Sequence, residues 1–126
     1  MIASGLQTVR DIHENWAWVV VIGNGLAGLW ALAAHWLPAV RGKALWWFIG
    51  AAQIAVVVQA FLGAVLVGRY KVPLPQFHAF YGFFAIITIA IIYSYRFQLK
   101  HRLYLLYGGG SLFVMGLGIR AMVLPT

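Results

Sequence analysis

Residues 44–68 decide the fold: they read ALWWFIGAAQIAVVVQAFLGAVLVG and contain no charged side chain. A helix needs about 20 consecutive apolar residues to cross the hydrocarbon core of a bilayer. This stretch is long enough, and basic turns bound it at Arg41-Gly42-Lys43 and at Arg69-Tyr70-Lys71. It therefore predicts a transmembrane helix.

Three more apolar runs flank this one, so we expect helices over approximately residues 11–37, 44–68, 75–95 and 103–122. Pro75 is suited to open the third helix, because proline is favoured at the first helical position. Asp11 and Glu14 suit the first turn of the first helix, where negative charge is favourable. The sequence predicts an all-α protein of one domain, an integral membrane, antiparallel four-helix bundle over residues 1–126.

The composition agrees with this class and excludes others. Hydrophobic residues make up 63% of the chain and charged residues only 9%, which a soluble domain of this length could not bury. The absence of cysteine excludes disulfides, thiolate metal sites and covalently attached c-type haem. Residues 1–9 lack the basic and then apolar pattern of a signal peptide, so we expect no cleaved leader.

The positive charge is interpreted as a membrane signal. Nine Lys and Arg residues face only Asp11 and Glu14, and they lie between the apolar runs, which indicates lipid headgroups as partners and no nucleic acid. Five of these nine residues lie in the two connections on one side of the membrane, and four lie on the side of the termini. The five are Arg41, Lys43, Arg96, Lys100 and Arg102; the four are Arg10, Arg69, Lys71 and Arg120. The positive-inside rule then predicts that both termini lie outside, and we expect the membrane to be a prokaryotic inner membrane.

Two of the four histidines, His13 and His78, begin helices that run in the same direction, so we expect them at similar depth on one face of the membrane. Two imidazoles on different helices can hold one haem iron between them. Small residues stack below both rings, which suits either a flat macrocycle or close helix packing. These residues are Ala17, Val20, Asn24, Ala27, Gly28 and Ala31 on the first helix and Gly82 and Ala85 on the third.

Two interpretations, one structural and one functional, are open for each of the other polar residues. His35 and His101 lie at the opposite face, as solvated interfacial residues or as ligands of a second haem. Asn24 and Gln59 lie within the spans, where amides form interhelical hydrogen bonds or contact a ligand. Four basic residues lie at the same membrane face as His13 and His78, where they either extend to lipid headgroups or, for an arginine, bind a haem propionate: Arg10, Arg69, Lys71 and Arg120.

The segment Gln59-Ala60-Phe61-Leu62-Gly63-Ala64-Val65-Leu66-Val67, followed by a loop and Pro75-Gln76-Phe77-His78-Ala79-Phe80, resembles one four-helix half of the haem A synthase family. That family has a glutamine-x-x-leucine-glycine stretch, then a loop and a histidine that begins the next helix. It also has a histidine early in the preceding helix of that half, a position that His13 matches. The resemblance implies a haem-binding bundle with His13 and His78 as axial ligands.

Three differences separate the chain from that family. The catalytic half of the family carries a glutamate four residues before its first histidine, where this chain has Val9. The family usually has eight helices, whereas this chain is predicted to have four. The cysteine pair of the family is also missing from this chain. We therefore do not expect this chain alone to make haem A.

The sequence thus predicts a b-type haem protein of the membrane, with haem b held non-covalently by two histidines, that carries electrons or belongs to a redox complex such as those of the respiratory chain. The predicted site consists of the ligands His13 and His78 with Ala17, Asn24, Gln59, Arg69, Gly82 and Arg120. Two alternatives remain open: a cofactor-free accessory subunit of a respiratory or photosynthetic complex, and a half-size haem A synthase-like enzyme. The expected protein partners are other subunits of a membrane redox complex or further copies of this chain.

Overall fold

The computed structural model describes residues 2–124 and is all-helical over that range. Helix α1 covers Ile2–Trp36, α2 covers Lys43–Gly68, α3 covers Gln76–Ser94 and α4 covers Leu103–Val123. Two short 3-10 helices, Pro38–Val40 and Lys100–Arg102, lie in the connections on one side of the bundle. All four α-helices are long and apolar enough to cross a membrane, which confirms the predicted number of candidate spans.

Helix α1 begins much earlier than the sequence indicated, because no proline interrupts residues 2–10. Gln7 Nε2 donates to Asp11 Oδ1 at 2.7 Å, and the Thr8 hydroxyl donates to the Ser4 carbonyl at 2.8 Å. The first turn of α1 consequently contains no acidic residue. The expectation that Asp11 and Glu14 stabilise the first turn is therefore wrong, and both lie further along the helix.

The helices form a bundle that is closed on three sides and open on the fourth. Helix α1 packs extensively against α4 and α2, and α3 packs against α4, whereas α2 and α3 touch only slightly. Many large apolar side chains point outward, among them Trp47 (79% exposed) and Phe61 (66% exposed). Apolar surface of this extent on the outside of a bundle is typical of a lipid-facing protein rather than a water-soluble one.

Contacts between α1 and α2 show how the two helices are aligned. Trp16 Nε1 donates to the Ala55 carbonyl at 2.8 Å, and Asn24 Nδ2 donates to the Val20 and Ala52 carbonyls at 2.9 and 3.3 Å. Residue numbers therefore rise along α1 as they fall along α2. Asn24 is fully buried in this interface, where its amide joins the two helices.

The lower part of the small-residue stripe on α1 is used for helix packing. A Cβ atom added to Gly28 would lie 2.7 Å from Leu112 Cγ and 2.9 Å from the Gly108 carbonyl oxygen of α4. Ala27 and Ala31 are fully buried in the same half of the bundle, in a core that also contains Leu45 and Ile49 of α2. Ala27, Gly28 and Ala31 thus allow the helices to pack closely. They leave no room for a macrocycle beside them.

Candidate functional site

His13 lies on α1 where this helix faces α2. Gln59 Nε2 of α2 donates to the His13 carbonyl at 2.7 Å, which fixes the backbone of α1 against α2 at this level. The imidazole lies over Gly63, where an added Cβ atom would be 3.4 Å from His13 Cε1. A Cβ atom at position 63 would thus be in ordinary van der Waals contact with the ring, and a longer side chain would extend into the space around it.

His78 lies in the first turn of α3, directly after the extended connection that ends at Pro75. Its Nδ1 atom is 3.1 Å from the Ala121 carbonyl of α4. Because a carbonyl oxygen only accepts, His78 Nδ1 must carry the proton in this bond. The Nε2 atom of the neutral ring then keeps its lone pair, which is the tautomer that binds a metal through Nε2.

The two imidazoles meet across the bundle. Their ring centres are 6.0 Å apart, and the ring planes are inclined by 70°. Bonds from a metal to imidazole nitrogen are about 2 Å long, and with about 1 Å from each nitrogen to its ring centre, two rings on one metal have centres about 6 Å apart. The spacing of His13 and His78 therefore suits one metal atom held between them.

A cavity of about 530 Å³ surrounds the two rings, within the range of about 300–1,000 Å³ that is usual for small-molecule sites. Its walls come from all four helices and are almost entirely apolar, with glycine or alanine at many positions. The gap between α2 and α3 forms part of the cavity. The wall residues that bear on the prediction are Ala17, Val20, Gln59, Gly63, Gly82 and Ala85.

Two buried polar atoms beside the cavity have no hydrogen-bond partner among the described residues: His13 Nδ1 and Gln59 Oε1. Buried polar groups in folded proteins are nearly always hydrogen-bonded, to protein, water or a ligand. His13 and Gln59 adjoin each other through the bond from the Gln59 amide to the His13 carbonyl. Both atoms thus lie at one place in the wall of the cavity, where a donor on His13 Nδ1 and the acceptor Gln59 Oε1 are neighbours.

The structure brings together only part of the predicted site. His13, His78, Ala17, Gln59 and Gly82 all line the cavity. Three predicted residues do not line it: Asn24 bonds within the α1–α2 interface, and Arg69 and Arg120 are exposed at the helix ends.

The predicted site left out Arg10, although the sequence had placed this residue at the membrane face of His13 and His78. Arg10 lines the outer part of the same space, beside His13 and His78. The signal was available, because residues three apart share a helix face and Arg10 precedes His13 by three positions. It was left out because contact with lipid headgroups was the favoured interpretation for most of the four basic residues at this face.

The second histidine pair does not form a comparable site. The His35 ring packs edge-on against Trp36 with centres 4.6 Å apart, and Arg41 Nη2 donates to the His35 carbonyl at 3.0 Å. His101 is exposed in the short helix Lys100–Arg102. No ring contact joins His35 to His101 within the part of the chain that the structure describes, in contrast to His13 and His78.

Comparison with protein-family models, with curated proteins and with solved structures gave no match to this chain. Among the described residues, no group of three or more His, Cys, Asp and Glu side chains could together hold a bare metal ion. The chemical case therefore rests on the histidine pair and on the cavity around it.

Proposed function

We propose that this chain is an integral membrane protein, an antiparallel four-helix bundle that binds one b-type haem between His13 and His78 and serves in electron transfer, alone or within a membrane redox complex. The observation that carries the proposal is the 6.0 Å spacing of the two ring centres inside an apolar cavity. That spacing suits two imidazoles on one iron atom. The small residues around the rings leave room for a flat macrocycle.

The membrane part of the proposal is supported by the four helices of sufficient length and hydropathy and by the apolar exterior. The antiparallel part is supported by pairs of contacts whose residue numbers run in opposite senses. These contacts are Trp16–Ala55 and Asn24–Ala52 between α1 and α2, Val21–Gly118 and Gly28–Leu112 between α1 and α4, and His78–Ala121 and Ile92–Gly110 between α3 and α4. They also support His13 and His78 at one end of the bundle and His35 and His101 at the other.

The residues of this chain have distinct parts in the proposed site. His78 would donate the lone pair of its Nε2 to the iron, because its Nδ1–H is held by the Ala121 carbonyl. Gln59 keeps α1 and His13 at a set distance from α2. A haem held by both histidines would supply one-electron transfer.

The visible spectrum of the purified protein tests the proposal. We expect about one haem per chain with a low-spin spectrum, since two imidazoles give a strong axial field. His13→Ala and His78→Ala should abolish that spectrum or convert it to a high-spin form. His35→Ala and His101→Ala are the matched controls, because neither ring reaches the cavity, and both should leave the spectrum unchanged.

A folded, helical protein that takes up no haem when haem is supplied would overturn the proposal and favour a cofactor-free accessory subunit. Conversion of added haem O to haem A by the chain alone would favour the half-size haem A synthase-like enzyme instead. Haem extraction after expression with haem O distinguishes these results.

A further inference from the structure

The outer part of the cavity differs chemically from the inner part. This outer space has a volume of about 650 Å³ and overlaps the inner cavity at the two histidines. It is bounded by Arg10, Glu14 and the connection of residues 72–75. The inner walls are apolar, whereas this mouth carries the charged side chains. A ligand that fills both parts must therefore have an apolar body and a polar end.

Arg10 is the basic residue of this mouth. It is half-buried, it lies three positions before His13 on the same helix, and it forms no ion pair or hydrogen bond with another residue in the part of the chain that the structure describes. An unpaired guanidinium beside apolar walls loses part of its hydration, which is costly unless an anion compensates it. Its five donors suit the two oxygens of a carboxylate.

The other cations at this end are arranged differently. Arg69 lies with its guanidinium carbon 5.7 Å from the centre of the Tyr70 ring, outside the cavity. Lys71 and Arg120 are exposed, and neither lines the inner or the outer space. These residues share the charge of Arg10 but not its position, which makes Arg69 and Arg120 suitable controls.

We propose that the ligand of this cavity is an amphipathic carboxylate and that Arg10 binds its carboxylate group at the mouth while the apolar body lies between α2 and α3. The identity of the body as a porphyrin rests on the proposed function, and the role of Arg10 rests on the mouth itself. Glu14 lines the same mouth, so its negative charge opposes the carboxylate and moderates the affinity.

The test uses metal-free protoporphyrin IX and its dimethyl ester, which have the same body but differ in their carboxylates. Binding to the full-length protein in detergent is followed by porphyrin fluorescence. The protein should bind the diacid more tightly than the diester. Arg10→Gln should weaken diacid binding about tenfold, as expected for a charge-assisted hydrogen bond, and leave diester binding unchanged. Glu14→Gln should strengthen diacid binding, and Arg69→Gln and Arg120→Gln should change neither ligand.

Each other result counts against the inference. Equal binding of diacid and diester, no effect of Arg10→Gln, an equal effect of Arg69→Gln, or no porphyrin binding at all would overturn it. Because a metal-free porphyrin takes no histidine ligand, these results are independent of iron ligation. Porphyrin binding that depends on Arg10, together with a haem spectrum that is not low-spin, would refute the proposed function and leave this inference standing.

Discussion

At the scale of single residues, the wall next to His13 is formed by the backbone of α2 at Gly63 rather than by a side chain. A Cβ atom there would already be 3.4 Å from His13 Cε1. A leucine at this position would extend into the space around the ring, so we expect Gly63→Leu to weaken haem binding about tenfold or more, by overpacking. Haem absorbance per chain measures the effect.

Gly50 offers the matched control on the same helix. A Cβ atom at Gly50 meets nothing within 4 Å, and this residue does not line the cavity. Gly50→Leu should therefore retain the full complement of haem. Normal haem content in Gly63→Leu, with helicity unchanged, would mean that the ligand lies elsewhere.

At the scale of elements, α1 and α4 approach closely because each contributes glycine to the contact. A Cβ atom at Gly108 would be 3.0 Å from the backbone nitrogen of Leu32, whereas one at Gly109 would meet nothing within 4 Å. Replacement by alanine raises the helix propensity equally at both positions. We therefore expect Gly108→Ala to be less stable than Gly109→Ala by about 1–3 kcal/mol, the usual cost of overpacking.

Thermal or denaturant unfolding in detergent, followed by the helical circular dichroism signal, measures this difference. Gly109→Ala itself should equal or exceed the wild-type stability, since it relieves the poor propensity of glycine without a clash. Equal stability of the two variants would show that α1 and α4 separate without cost, contrary to the tight contact at Leu32.

At the scale of the whole molecule, the proposed orientation has the termini outside and both basic connections in the cytoplasm. The chain contains no cysteine, so single cysteines can report the side of the membrane. Ser4 is exposed near the start of α1, and Ala39 is exposed in the short helix Pro38–Val40 that follows the end of α1. Gly42 is unsuitable for this purpose, because its φ of 151° is strained for any other residue.

An impermeant thiol reagent should label Ser4→Cys in intact cells and label Ala39→Cys only after the membrane is opened. The physical reason is the excess of Lys and Arg in the connections at Arg41 and Arg96, which retains them on the cytoplasmic side. Gln98→Cys, exposed in the second connection, should behave like Ala39→Cys. The opposite labelling pattern would show that the termini lie in the cytoplasm and that the predicted orientation is wrong.

The number of helices and their approximate ends were predictable from sequence, because each depends on a local property. An apolar run, a basic turn and the prolines near residues 38 and 75 are sufficient to predict α2, α3 and α4 to within a residue or two. The start of α1 was not predictable in this way. Residues 2–10 are mixed in polarity, and their neighbour at Gly5 is Tyr70, which is distant in sequence.

The sequence by itself determined four candidate spans and the assignment of His13 and His78 to one end of the bundle, since span count and direction follow from chain order. Only the tertiary structure decided that α2 and α3 separate, that Asn24 joins α1 to α2, and that Arg10 lies at the mouth. The physical reason is that a helix which is apolar on all sides has no periodic pattern to indicate its neighbours. Which faces meet then depends on where glycine and alanine let two backbones approach, and this is a property of pairs of helices.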